Sequence, residues 1–568
     1  MVKIYISCMS YKCALVYSVL INLFFLMLCL IFGDLKFGAI DDYFMAARLT
    51  GALGTDYNPH LIFVNAVYGY ALLPLYHLFP KIGWYYIGEM FSVFLSFTVI
   101  GYVLLERCGV RWGAILATMF TALFASDFYL VVQFTQCASI LSAAGMLLFA
   151  YGIIMQSRRT FPFVLGVILM LWGSVMRWQA FLMGLPFFCL EILFIIKVCW
   201  KIKWKVIASL FILFVGVQTM HHWDKKIYEV PKYATFVKIQ PVRSLLGDVS
   251  NYNKNAVYED AEELGLSGKD FHMLTELLFY DTEVFSFDSI VQYTNIISTY
   301  KKSFSLQEFP SRMLYTLRTS LHSPLFWTWF ILCLLVYATN RPKGVYIWTS
   351  FGLVLVLMAS LLFMGRLVYR VESGFWLYAA VLAIPLYGKF TVNISQKITC
   401  AVISVITTAN VFTYATNGDV VRDPSSGKTR TLAIDDSTNY TQVFDYIDRE
   451  PDKMFMLSMN AFMRFSHHRN PPFLAEPIGV YRRTTSFGYW TPYLPEISTN
   501  LADFGIVNPV KDVVNDNVIV LNEPGLSDFL QRHHYDSISV DTLKKIGEMT
   551  FLKYRIVQDK DSVIRKAE

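Results

Sequence analysis

Residues Ile40 to Leu95, IDDYFMAARLTGALGTDYNPHLIFVNAVYGYALLPLYHLFPKIGWYYIGEMFSVFL, decide how the rest of the chain is read. They open with an acidic pair, Asp41-Asp42. Tyr43 to Leu53 then has the spacing of a short amphipathic helix lying along a membrane interface. A break at Asn58-Pro59-His60 follows, then an apolar helix from Leu61 to Leu78 stopped by Pro80. That second helix is bracketed by Asn58, Asn65 and His77 and lacks basic flanks, so it reads as interfacial or re-entrant rather than spanning. The stretch ends inside an apolar run, Trp84 to Leu105, long enough to cross a bilayer.

Working outward, the same test finds further apolar runs at Ala14–Phe32, Trp112–Val131, Phe134–Met155, Phe161–Val175, Ala180–Ile196, Val206–Met220, Leu325–Ala338, Val345–Met364, Gly374–Leu386 and Ile398–Tyr414. Composition agrees: the chain is 55% hydrophobic and only 16% charged, a balance that excludes a disordered chain, a disulfide scaffold and an ordinary soluble enzyme. The net charge of +6 is not gathered on one soluble face, as a nucleic-acid footprint requires. All nine cysteines lie in or beside apolar runs, so the polar regions carry no disulfide.

Basic residues orient the chain. With the N-terminus cytoplasmic, alternate short connections hold Lys3, Lys12, Arg107, Arg111, Arg158, Arg159, four lysines from Lys197 to Lys205, Arg341, Lys343, Lys389 and Lys397, opposed by Glu106 alone. The other connections mix signs, as the positive-inside rule expects for the outer face. The expected fold is an all-α polytopic bundle of about eleven transmembrane helices with juxtamembrane helices in its first outward loop, followed by a C-terminal α/β domain. Residues 1–414 would form the membrane unit, with outward loops 33–83 and 221–323, and residues 415–568 the extracytoplasmic domain. The middle loop reads as helical, with a capping pair at Ser267 and Asp270 and helical spacing over Gln307–Leu321. In the tail, helices are expected near Tyr440–Asp448 and Leu526–His533, and strands at Met454–Ser458, Asn517–Leu521 and Tyr554–Gln558.

The order of parts in residues 34 to 105 resembles the membrane-embedded GT-C glycosyltransferases, which use polyprenyl-phosphate sugars. They include the protein O-mannosyltransferases, the lipid A aminoarabinose transferases and bacterial glucosyltransferases of surface glycans. Members share a first span, an acidic residue or pair opening an outward loop, a juxtamembrane helix, a Pro- or His-containing break, a second juxtamembrane helix and a second span. The break here reads NPHL, where better-known members have HPPL or KPPL. The resemblance implies a transferase of the bacterial cell membrane. It would move a sugar from a polyprenyl-phosphate donor to a surface glycan, glycolipid or protein on the outer side. Other readings are a lipid-linked glycan polymerase or ligase, and a flippase or transporter; a transporter should show duplicated halves, and no duplication is visible.

Transfer from such a donor needs a carboxylate to take the acceptor's proton and cations to meet the leaving phosphate. By the resemblance Asp41 is the base. Asp42 assists or holds a divalent cation, which would be the one cofactor. Arg366, Arg370 and Arg177, on outward connections, are candidates for the phosphate, and Asn58 and His60 for orienting donor or acceptor. His221-His222 with Asp224 lacks the i, i+4 spacing that places two ligands on one helix face. Glu89 and Glu191 fall within spans, where a protonated acid can hydrogen-bond a neighbouring helix.

Overall fold

The computed structural model describes residues 11–557 apart from 34, 156–159, 249–253, 264–267, 276–279, 300–308, 365–366, 391, 418–420, 423–428, 431–437, 458–460, 462–464, 467–468, 470, 488–492 and 523–524. Each apolar run named above lies mainly within helices. These are α1 (Tyr11–Phe32), then α2 (Ile40–Leu49) and α3 (Ala66–Leu78) in the first loop, α4 (Trp84–Ala125), α5 (Phe134–Ile154), α6 (Phe161–Met176), α7 (Trp178–Cys199) and α8 (Lys203–Ile227). After a helical middle segment, α9 (Ala234–Asp248), α10 (Lys254–Glu263), α11 (Gly268–Thr275), α12 (Phe287–Thr299) and α13 (Phe309–Ser320), come α14 (Pro324–Thr339), α15 (Tyr346–Phe363), α16 (Tyr369–Val381) and α17 (Gln396–Asn417). Among the described residues, six helical segments are long and apolar enough to cross a membrane, or up to seven when α13 and α14, bent by 79°, count as one. Two of the six, Trp84–Leu130 and Trp178–Ile227, run 47 and 50 residues. At 1.5 Å per residue each is about twice as long as a ~30 Å hydrocarbon layer needs. The first is broken at Gly109, where φ is +76°, and the second by a turn of 3-10 helix at Trp200–Ile202.

Helix α5 is the axis of the bundle: 94% of its most apolar window is buried, against 28% for α1 and 11% for α17, whose apolar faces point outward. Outward-facing Phe211, Phe214, Trp348 and Phe412 are more than 60% exposed, the inverse of a soluble protein. Small residues let α5 and α6 meet closely. A Cβ added at Gly145 would lie 2.8 Å from the Gly166 carbonyl oxygen, and one at Gly166 would lie 2.9 Å from that of Gly145.

Beyond the bundle the tail forms a hairpin of β3 (Val421–Arg422) and β4 (Thr429–Arg430) and a five-stranded mixed sheet. The sheet holds β5 (Met454–Leu457), β6 (Thr484–Ser486), β7 (Val518–Leu521), β8 (Ile538–Ile546) and β9 (Met549–Ile556), in the order β6-β5-β7-β9-β8. β5 pairs in parallel with β6 and β7, β9 runs antiparallel to β7, and a bulge between Thr542 and Lys544 interrupts the outer β8–β9 ladder. Helices α18 (Tyr440–Arg449), α19 (Pro495–Asp503) and α20 (Leu526–His533) complete the layer. Helical spacing of apolar residues locates α18 and α20, and short unbroken apolar runs, buried at every residue, locate β5 and β7. Strand β6 (Thr-Thr-Ser) and the charged β8 carry no such run and come from tertiary pairing alone.

Two expectations for the first loop change. Helix α3 starts at Ala66 rather than Leu61, because the Asn65 side chain accepts from Val67 N at 2.9 Å and caps the helix there. Helix α2 spans Ile40–Leu49 rather than Tyr43–Leu53 and ends at Gly51, whose φ is +74°. Nor does α2 lie exposed along an interface: eight of its ten residues are buried. One side packs on the membrane helices, while Phe44, Ala47, Ala52 and Leu53 join a second core built with the middle segment and the tail. Backbone hydrogen bonds stitch this loop to the tail, from Gly479 N to Gly51 O at 2.9 Å, Tyr481 N to Ala52 O at 2.8 Å and Ala475 N to Lys81 O at 3.0 Å. Of the expected capping pair, Ser267 lies outside the described residues. Asp270 instead pairs with Arg532 of α20 at 2.6 Å.

Candidate active site

Asp41 and Asp42 occupy the first turn of α2, where the partial positive charge of a helix N-terminus favours carboxylates. What fixes their surroundings is a two-residue parallel pairing of β1 (Lys36–Phe37) with β2 (Val131–Val132) just upstream. Gly38 continues it, its N–H donating to Val132 O at 2.6 Å. A Cβ at Gly38 would press on Gln133 and Val131 at 3.0 and 3.1 Å, so glycine permits the close approach. The pairing sets the N-terminus of α5 against that of α2. Gln133 caps α5 with its own side chain, accepting from Thr135 N and Gln136 N at 2.9 and 3.1 Å. Phe134 N–H is left to donate to Asp42 Oδ1 at 3.3 Å.

From α4, Tyr85 Oη donates to the same oxygen at 3.1 Å. Asp42 is fully buried, whereas Asp41 is 8% exposed. Burial, with the neighbouring Asp41 charge second, holds the Asp42 carboxyl well above the ordinary carboxylate range. Phe134 N–H, Tyr85 and the charge of Arg370 pull it back in part. One turn along α4 from Tyr85 lies Glu89, also fully buried and directed at Asp42. Beside Tyr85 a small cavity of about 20 Å³ is closed by Tyr43, Tyr76, Tyr86 and, from the tail, Ser466 and Glu476.

The other sequence-derived candidates divide. Arg370, exposed in the first turn of α16, is near enough for its charge to act on Asp42. Arg366 lies outside the described residues. Arg177, at the turn between α6 and α7, donates to Phe63 O at 3.0 Å and covers the Phe134 ring at 5.3 Å, next to the residue whose N–H serves Asp42. It also lines a 160 Å³ cavity with Asn65, His221 and Asp224. There His221 stacks on Trp178 and Asp224 accepts from Ala66 N at 2.8 Å.

Asn58 and His60 are placed elsewhere, in a 310 Å³ cavity between the first loop, Tyr233 and the tail's Glu496. The His60 ring bonds Asn58 Oδ1 at 2.8 Å and packs on Tyr233. Burial first, then the charges of Arg48 and Lys232, lowers it to about 4, so His60 is neutral at physiological pH. Arg48 ties this region together. Only 1% exposed, it donates to Glu496 at 2.5 Å, His60 O at 2.6 Å and Tyr233 Oη at 3.0 Å.

Arg48 and Tyr85 did not stand out in the sequence, and neither did Glu476. The one local signal for the second was its i, i+4 relation to Glu89 at the start of a span. At Asp42 the Tyr85 O–H and the Phe134 N–H both donate to Oδ1. Among the described residues no group of three or more His, Cys, Asp or Glu side chains has a metal-binding arrangement.

No protein-family model and no curated protein matches the sequence. Among solved structures, the chain is similar to the crystal structure of ArnT from Cupriavidus metallidurans in the apo state, with a TM-score of 0.39 and 9% identity over 95% of this chain and 97% of that one. It is also similar to the crystal structure of ArnT from Cupriavidus metallidurans bound to undecaprenyl phosphate, with a TM-score of 0.37 and 11% identity over 96% and 98% of the two chains.

Proposed function

We propose that this protein is a multi-pass membrane glycosyltransferase that moves a sugar from a polyprenyl-phosphate donor to an acceptor on the extracytoplasmic face. The observation that carries the reading is the acidic pair itself. Asp41 and Asp42 stand on the first turn of a buried juxtamembrane helix, beside the N-terminus of the central helix α5, within reach of the charge of Arg370. A pair of loop aspartates serving solubility alone would be solvated. These are enclosed, at a cost that burial of unneeded charge does not explain.

In the proposed reaction Asp41, the member bordering the outside, accepts the proton of the acceptor hydroxyl. The acceptor oxygen bonds to the anomeric carbon, and the bond from that carbon to the phosphate oxygen breaks. The phosphate leaves with the electron pair and is met by Arg370, with Arg366 on the same connection and Arg177 lining the adjacent wall. Asn58 and His60 would contact the acceptor from their separate cavity.

The proposal includes eleven spans. The two overlong segments each count as two, at the break of Gly109 and at Trp200–Ile202, and α6, α14 and α16 with its following turn complete the set. It also places the N-terminus in the cytoplasm of a bacterial cell and residues 415–568 outside, after a membrane unit of 1–414.

Asp41→Asn tests the reading. Purified variant protein should bind a synthetic polyprenyl-phosphate sugar as wild type does and transfer none of it, with insertion and thermal unfolding unchanged. Near-wild-type turnover by Asp41→Asn removes Asp41 from the mechanism.

A further inference from the structure

The 310 Å³ cavity that holds Asn58 and His60 falls in the range of small-molecule sites, about 300–1,000 Å³, and is built from three distant parts of the chain. Arg48 and the break around Asn58 come from the first loop, Lys232 and Tyr233 from the start of the middle segment, and Glu496 and Thr499 from α19 of the tail. Thr55, Asp56, Lys232 and Thr499 are exposed at its edge, while Arg48 and Tyr233 are buried at its base. A charged edge of this kind opens to water rather than to lipid.

The charges in the lining balance. Two cations, Arg48 and Lys232, meet two carboxylates, Asp56 and Glu496, and Arg48 already spends its charge on Glu496 at 2.5 Å. His60 adds none, being neutral at physiological pH. A phosphate or a free cation would find no net charge there to hold it.

The unspent hydrogen-bonding groups form a donor and an acceptor in one wall. Asn58 Oδ1 accepts from His60 N at 3.0 Å and from Nδ1 of the His60 ring at 2.8 Å, so the neutral ring carries its hydrogen on Nδ1 and leaves Nε2 a bare acceptor. Tyr233 Oη accepts from Arg48 at 3.0 Å and from Asn58 Nδ2 at 3.3 Å, which leaves its own hydrogen to be donated. The two rings pack together, their centroids 4.9 Å apart. An alcohol, which gives and takes a hydrogen bond at one oxygen, suits such a pair. A phosphate, an acceptor alone, would set its lone pairs against that of Nε2. The half-buried Tyr57 ring adds an apolar surface to the lining. Hydroxyl groups beside C–H faces are the chemistry of a saccharide.

Its place relative to the acidic pair follows from helix geometry. Arg48 is seven residues after Asp41, two turns along α2, so it stands on the same side of the helix about 10 Å further on. Phe44 lies between them on that side, packed into the second core. The cavity therefore grips a part of the substrate that does not react, and that binding energy holds the rest near Asp41.

We propose that this cavity binds one neutral saccharide unit of the acceptor, a unit other than the one that receives the transferred sugar. Its role as an acceptor site rests on the glycosyltransferase reading; its affinity for a neutral saccharide does not.

The test uses the full chain in lipid nanodiscs. Saturation-transfer NMR is run with the methyl glycosides of glucose, galactose, mannose and N-acetylglucosamine, with methyl glucuronide and with inorganic phosphate. At least one neutral glycoside should bind, and more tightly than either anion. Thr499→Trp, which fills the cavity from its exposed edge, and His60→Phe, which keeps a ring but removes Nε2, should each weaken that binding about tenfold, with thermal unfolding of Thr499→Trp as the folding control. In transfer assays Thr499→Trp should raise acceptor KM about tenfold with kcat little changed. Running a free oligosaccharide beside the same oligosaccharide on a lipid shows which of the two supplies the unit.

The proposal is overturned if no neutral glycoside binds the wild type, if glucuronide or phosphate binds better, or if both variants bind as the wild type does. An acceptor KM that Thr499→Trp leaves unchanged also overturns it, as does efficient transfer to a protein acceptor that carries no sugar. If the wild type transfers no sugar from any polyprenyl-phosphate donor, the functional reading fails while the NMR result still decides what the cavity binds.

Discussion

Tyr85→Phe removes a single oxygen atom and leaves the buried ring in place. That oxygen supplies the shorter of the two hydrogen bonds to Asp42 Oδ1, 3.1 Å against 3.3 Å from Phe134 N. A hydrogen bond to a charged group is worth about 1.5–3 kcal/mol, and here it is made where no water can replace it. Taking the lower figure, because Phe134 N–H remains, the charged form of Asp42 loses about 1.5 kcal/mol of stabilisation. The sign follows from which form is favoured. Tyr85 donates to the carboxylate and so offsets the burial that holds Asp42 high, and removing it lets the value climb further. At 1.36 kcal/mol per pH unit, the acidic limb of the kcat profile should move up by about one unit. Below that limb the rate at a fixed pH should fall about tenfold. The assay is transfer from a lipid-linked sugar across a pH series, with thermal unfolding as a control. A limb that stays where the wild type has it would refute the idea that Asp42 must be ionised, or that Tyr85 holds it so.

Three further outcomes are expected. Arg48→Met should destabilise the protein by about 3–5 kcal/mol, since Glu496 is left charged and nearly buried without its partner, whereas Arg48→Met combined with Glu496→Met should recover most of the loss in detergent unfolding assays. Glu476 is pushed up to about 7 by burial, its Tyr481 hydrogen bond offsetting this only in part. Its raised value means that the stability it contributes is complete below about pH 4.5 and is lost as the pH rises through 7. Glu476→Gln, which still accepts from Tyr481, should therefore flatten the decline in melting temperature between pH 4.5 and pH 7; an unchanged slope counts against that burial. Reporter fusions after Glu106, Lys203 and Lys343 should read cytoplasmic and those after Tyr57 and Asp512 outside. A cytoplasmic signal at Asp512 would make the number of spans even and deny the tail an external acceptor.

Some of this architecture is a matter of local composition. A run such as Ala14–Phe32 must be helical in a bilayer because its backbone has no other way to satisfy its hydrogen bonds, and that holds whatever it packs against. The same logic places α3 to α8 and α14 to α17 within a few residues, and the unbroken, mostly β-branched run Val518–Leu521, too short for a helix and flanked by Asn517 and Asn522, marks a buried strand. The pairing Asp41-Asp42 is likewise visible, because adjacent acids after a span are rare enough to attract notice.

Other features belong to no local stretch. Helix α2 is short, and its sequence suits an interface. Its burial follows from the tail closing over it through Gly479, Tyr481 and Glu496, more than 420 residues away. The environment of Asp42 is assembled from the first turn of α2, the start of α4 and the N-terminus of α5, brought together by two paired residues on each of β1 and β2. Whether Glu89 is a neutral helix-packing acid or the partner of Asp42 depends on which helix stands opposite, and no periodicity encodes that. Sequence by itself thus determined which segments leave water and which acids go with them, because transfer free energy is a property of each segment alone. Only the tertiary structure decided which acid faces which donor, because a hydrogen bond or a charge interaction exists between groups distant along the chain and has a magnitude only at a particular distance and degree of burial.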